Sequence, residues 1–169
     1  MIKIGKSSRK AQFQISFGII FSIILIIAFI AVSFYVIKIF LGFRTCGEIG
    51  RFYQELQSSI ENAKRSPETS QVFSAAMPSS VEYACIADLS KSARGQKSGL
   101  YEEISLVNKN LALYPKTKCS GLGGIDLIGI DIANITLNEN PFCVKTEKGK
   151  ISLKIEKALY ERLVKVSRA

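Results

Sequence analysis

Four cysteines, Cys46, Cys85, Cys119 and Cys143, are the side chains best suited to chemistry in this chain, and the lack of any histidine limits what that chemistry is. Zinc sites draw on close Cys or His pairs, about two to four residues apart. Here the cysteines are remote from one another and no imidazole completes a ligand set, so neither a metal nor any other cofactor is expected. A lone thiol without a neighbouring base is a weak nucleophile, and Ser-His-Asp arrangements are excluded outright. An even number of distant cysteines in a small domain reads instead as two disulfides formed in an oxidising compartment. Three pairings are open; Cys85 and Cys143 both fall inside predicted strands, which favours joining them and leaves Cys46 with Cys119. Each such bridge closes a loop of roughly 60 to 70 residues and contributes about 4 kcal/mol in the chain-entropy account.

Other candidates are weaker. Glu102 and Glu103 are adjacent, and neighbours on a helix or strand point in different directions, so they read as a solvated face rather than an acid and base pair. The Ser120-Gly-Leu-Gly-Gly stretch lacks the Lys-Ser/Thr of a phosphate loop and reads as a turn. Asn134-Ile135-Thr136 is a glycosylation sequon, chemically meaningful only outside the cytoplasm, in a segment predicted as extended chain that hides the Asn amide.

The element that positions everything else is the apolar run from Ile15 to Ile37, which holds no charged residue. As a helix it is about 35 Å long, enough to cross a hydrocarbon core of about 30 Å. A membrane helix over 15–41 is therefore expected, behind a basic cytoplasmic tail at 1–14, with the lipid bilayer as its first partner. Ala31-Val32-Ser33 has the form of a signal-peptidase site. The apolar run continues past it through Ile37, which favours an uncleaved anchor. No charged side chain interrupts residues 15–37, and Lys38 stands only near the end of the span, which argues against an ion path or transporter core. Gly18 and Ser22 stand at the small-xxx-small spacing that lets membrane helices pack closely, making them candidates for self-association.

Charge follows the same division. The formal net charge is +9, but six basic and no acidic residues lie in the first 44 positions, leaving an excess of three over the remaining chain. That distribution belongs to a membrane anchor rather than to a nucleic-acid binder. Short basic tails resist translocation whereas long domains cross largely regardless of charge, so the N-terminus is expected inside and the C-terminal domain outside.

Beyond the span, Ile49, Phe52, Tyr53, Leu56, Ile60 and Ala63 recur at helical spacing, predicting an amphipathic helix over 42–66. Gly42, Gly47 and Gly50 weaken its join to the span, and a kink near Gly47 is expected. Residues 67–80 read as a surface linker, and 81–169 as a β-rich head. In it Val81 to Leu89 alternates as a strand with one apolar face, and Leu100 to Asn108 reads as a short helix. Leu111 to Tyr114 reads as a strand, Ile125 to Ile135 as extended chain, and Leu163 to Val166 as a last strand. Phe142 to Lys145 and Lys150 to Lys157 are expected to pair as a hairpin about Glu147-Lys148-Gly149. The fold class is thus α+β: a long N-terminal helix followed by a small antiparallel sheet head with a short helix.

Arg9-Lys10-Ala11-Gln12, directly before the apolar run, resembles the processing site of type IV pilin-like proteins, which carry a class III signal, particularly archaeal ones. The resemblance implies cleavage after Ala11 by a membrane peptidase, leaving Gln12 as the new N-terminus, with Lys10, Ala11 and Gln12 forming the site. It also implies helices packed in a filament core beneath β-rich heads. The chain departs from that pattern at Ser16, where many such proteins carry Glu. Gln14 to Ile27, with Val81-Glu-Tyr-Ala-Cys85 and Asn140-Pro-Phe-Cys143, resembles an uncharacterised family of small archaeal single-span membrane proteins.

The expected function is non-enzymatic: a single-pass surface protein whose disulfide-stabilised head binds a partner or self-assembles. A homo-oligomer or a surface complex fits this reading; no nucleic acid and no small-molecule substrate is inferred. The alternatives are a processed pilin-like subunit of a surface filament, and a membrane-tethered enzyme working without histidine.

Overall fold

A long helix, α1 (Phe17–Arg65), leads the computed structural model, which describes residues 17–169. The chain divides into two units, the first ending at Gly42 and the second covering Phe43–Ala169. In the first, every described residue is exposed. The most apolar window of α1 has a mean hydropathy of 2.9 with none of it buried, unlike the core helix of a water-soluble fold. It is long and apolar enough to cross a membrane.

In the second unit the helical turns of α1 bury Ile49, Phe52, Tyr53, Leu56, Ile60 and Ala63, the same six residues that the spacing singles out. The kink expected near Gly47 does not interrupt the element, which is helical throughout, Gly42, Gly47 and Gly50 included. Lys64 and Arg65 sit in the last turn, where cations complement the carbonyl end of the helix. A third cation completes that end. Lys157, a buried residue of a distant strand, donates its Nζ to the carbonyls of Lys64 and Ser66, two groups that a helix leaves unsatisfied at its C-terminus.

Two antiparallel sheets follow. The first has the order β1 (Thr69–Ala76), β6 (Lys150–Lys157), β7 (Lys165–Arg168). Residues 69–76 were expected inside a linker, yet they pair with β6 over their whole length, from Thr69 opposite Lys157 to Ala76 opposite Lys150. The inward face, Phe73, Ala75, Ile151, Leu153, Ile155 and Val166, packs in one cluster with α1, and Phe73 stands 6.1 Å from Phe52 between ring centres.

The second sheet has the order β4 (Gly124–Ile125), β3 (Leu111–Tyr114), β2 (Tyr83–Ile86), β5 (Phe142–Lys145). It is covered on both sides, so the expectation of one apolar face on β2 is corrected. Ala84 and Ile86 join the main core with Leu111, Leu113, Phe142 and Val144. Cys85, Ala87, Ala112 and Cys143 form a second cluster with Ile104 of α2 (Tyr101–Ser105). A short 3-10 turn, Ser98–Leu100, leads into α2, in line with the expected short helix. Close packing explains Gly124: a Cβ there would lie 2.5 Å from the Leu111 carbonyl oxygen.

Two more expectations are corrected. Residues 125–135 do not stay extended; Asp131 caps α3 (Ile132–Ile135) by accepting from the Asn134 amide. Of the expected hairpin only the turn forms, Glu147 and Lys150 exchanging main-chain bonds of 2.8 and 2.9 Å about Lys148 and Gly149; β5 then pairs with β2, and β6 with β1 and β7, so these consecutive strands part into different sheets.

Candidate functional site: a basic groove between two parted strands

Where β5 and β6 diverge they leave a groove of about 890 Å³, within the size range of binding clefts. Its basic lining is Lys97, Lys145, Lys148, Lys150 and Arg168. Glu139 and Glu147 are its acids, so the groove carries as large an excess of positive charge, three, as the whole of residues 45–169. The head is close to balanced elsewhere, and its net charge is concentrated here.

Each wall has a local cause. Arg94 bridges Asn140 with two main-chain bonds of 2.8 and 2.9 Å, which sets the 95–97 loop beside Glu139. Gly95 is required at that approach: its φ is +85°, and a Cβ would lie 2.7 Å from Cβ of Glu139. Lys97 reaches across to Tyr83, with Nζ 3.1 Å from the phenol oxygen and 4.4 Å from the ring centre. Arg168 is held by Glu139 at 2.6 Å, by the Cys143 carbonyl at 3.1 Å and over the Phe142 ring at 4.8 Å. Lys145, Lys148 and Lys150 are exposed and form no ion pair among the described residues.

The floor is the outer edge of β5. The Thr146 amide donates to the Glu82 carbonyl at 2.8 Å, and antiparallel pairs alternate between bonded and non-bonded. Val144 and Phe142 therefore bond to β2, while the main-chain groups of Cys143 and Lys145 point to the open side. The Arg168 bond to the Cys143 carbonyl agrees with that phase. So does the Cys85–Cys143 disulfide, which spans a non-bonded pair whose Cα atoms are 4.0 Å apart.

Behind the groove, Asn140 is fully buried and joins the exit of β2 to the entry of β5. Its Oδ1 accepts from the Asp88 amide at 3.0 Å, and its Nδ2 donates to the carbonyls of Asp88, Lys91 and Ser92. Asp88 in turn accepts from the Ser90 hydroxyl at 2.6 Å and pairs with Lys91 at 3.0 Å. Those contacts, the Ser90 hydroxyl first, hold its carboxyl below the ordinary value of 3.8. Tyr53, buried in α1, donates to the Leu122 carbonyl at 3.2 Å, and burial pushes its phenol well above the ordinary range.

The residues singled out from sequence are dispersed rather than gathered. Cys46 pairs with Cys119 and Cys85 with Cys143, tying α1 to the turn before β4 and β2 to β5. Glu102 and Glu103 are exposed side by side on α2. Asn134 is exposed on α3, not in a strand, whereas the Thr136 hydroxyl of the same sequon is turned to the Ile132 carbonyl at 2.7 Å. The Ser22 hydroxyl bonds to the Gly18 carbonyl at 2.8 Å, so the Gly18 and Ser22 pair offers a small surface rather than a free donor. Lys10, Ala11 and Gln12 lie outside the described residues. The 91–98 loop and the 147–149 turn are remote in sequence, and only the parting of β5 from β6 brings Lys97 and Lys148 to one groove. Comparison of the chain with family models, with curated proteins and with solved structures returns no match.

Proposed function

We propose that this chain is a non-enzymatic, single-pass membrane protein with a cytoplasmic N-terminus and a disulfide-stabilised head outside, where the head binds a partner or assembles with its own copies. The observation that carries the reading is the presence, in one chain, of an apolar helix unburied over its most hydrophobic window and a head with every cysteine bridged. The first needs lipid as its solvent, since such a surface is otherwise an aggregation hazard. The second needs an oxidising compartment. An absence of histidine, and groove acids that are either exposed or bound to Arg168, support a binding role over catalysis. Alkylation of intact cells before lysis, followed by non-reducing peptide mapping, tests this. Two bridged peptides, 46 with 119 and 85 with 143, are expected; four alkylated cysteines contradict the reading.

A second reading, a processed pilin-like filament subunit, is favoured by α1 itself: one helix carries the apolar run and then the six residues that seat it in a sheet-bearing head. Mass spectrometry of the mature protein decides it. A start at Gln12 supports the filament reading, and an intact start at Met1 or Ile2 in cells with an active peptidase removes it.

A further inference from the structure

We infer that the groove between β5 and β6 binds an extended acidic segment of a partner protein, added as a strand on the open edge of β5. This deepens the reading of the head as a binding module, and it rests on that reading only for the partner's compartment. Three observations converge. β5 shares a ladder with no strand but β2 among the described residues, and Cys143 and Lys145 turn their main-chain groups to the other side, where only the Cys143 carbonyl is taken, by Arg168. The same edge is ringed by Lys145, Lys148 and Lys150, none of them engaged by an acid of the head. And Arg168, neutralised by Glu139 and stacked over Phe142, caps only the Cys143 carbonyl end of that edge, leaving the stretch at Lys145 to the incoming strand.

An anionic lipid or a free phosphate satisfies the lysines but not the strand edge. A neutral strand satisfies the edge but gains nothing from the lysines. An extended peptide with carboxylates on alternate residues satisfies both, since side chains two apart along a strand share one face. Main-chain bonds supply affinity in this mode, and the charges select the partner and raise the encounter rate.

The test uses the full chain in zwitterionic nanodiscs, so that the lipid carries no competing net charge. The probe is a fluorescent peptide of about five Glu-Val repeats, a length matched to ordinary strands, followed by anisotropy. Saturable binding is expected, weakening as salt rises and by about tenfold in a Lys145→Glu, Lys148→Glu double variant. Methylating alternate backbone amides of the probe abolishes binding, because it removes the donors a strand needs. Both lysines are exposed, so the variant is expected to fold, which intact disulfides on peptide mapping and an unchanged denaturation midpoint check. The proposal is overturned by no saturable binding, which leaves the lysines as guards that keep the edge from pairing. Equal binding of the methylated probe, or loss-free binding by the double variant, overturns it as well. So does binding of phosphatidylglycerol vesicles through these lysines without peptide binding. Binding in nanodiscs is independent of cellular orientation, so a head found in the cytoplasm defeats the proposed placement and leaves this result standing.

Discussion

At the scale of single residues, Asn140 and Asp88 hold the joint that shapes the groove. Asn140 makes four hydrogen bonds from a fully buried position, and truncating it leaves several main-chain groups without partners. Asn140→Ala is expected to destabilise the head by about 3 kcal/mol, read as a lowered denaturation midpoint; a change under about 0.5 kcal/mol contradicts the role. Asp88 predicts a pH dependence. Its folded carboxyl titrates below the ordinary value of 3.8, so its stabilisation is full above that value and is lost as pH falls through the lower folded value. The stability gap between the native chain and Asp88→Asn should therefore be larger at neutral pH than in acid, by chemical denaturation at each pH. A gap independent of pH contradicts the assignment. Neither residue was legible beforehand, because both owe their role to partners that only the fold supplies, 52 positions apart in the case of the Asp88 amide and Asn140. Lys157 is the same kind of case, an apparent strand-end cation that caps a helix 91 and 93 positions away. The cysteine pairs were legible because two of the four sit within strongly patterned strands.

At the scale of elements, periodicity succeeds where one face alone is buried. The six inward residues of α1 stand at helical intervals against a solvated opposite face, so pattern and burial coincide. β2 shows why the rule fails in the middle of a layered fold: with apolar clusters on both sides, alternation carries no information about which side is the core. Strand β1 was hidden for another reason. Its outward Ser70, Val72, Ser74 and Ala76 blur the alternation, and its strand state comes from eight register partners on β6. Phe73→Ala is the discriminating substitution, since a linker side chain is dispensable and a core one is not. It should cost about 3 kcal/mol in thermal or chemical denaturation; an effect within about 0.5 kcal/mol would return residues 67–80 to the status of a connection. The parting of β5 and β6 was beyond a hairpin rule based on turn length, because partner choice was settled by β2 and β1 rather than by the turn.

At the scale of the whole molecule, the two units call for different solvents. Residues 17–42 present an apolar surface without a buried side chain. Residues 43–169 close a core around α1 and two sheets, with two loops of 73 and 58 residues closed by disulfides. Chain entropy alone makes each of those closures worth about 4 kcal/mol. The division into an apolar helical unit and a head was legible because charge and hydropathy change together along the chain, whereas the groove was not, being assembled from four separate segments. The central claim is that the helix crosses the membrane and leaves the head outside. Protease digestion of intact cells carrying an N-terminally tagged chain tests it most directly. The account predicts that added protease removes the head while the tag stays protected until lysis; a head that is protected in intact cells, or a tag that is lost with it, contradicts it.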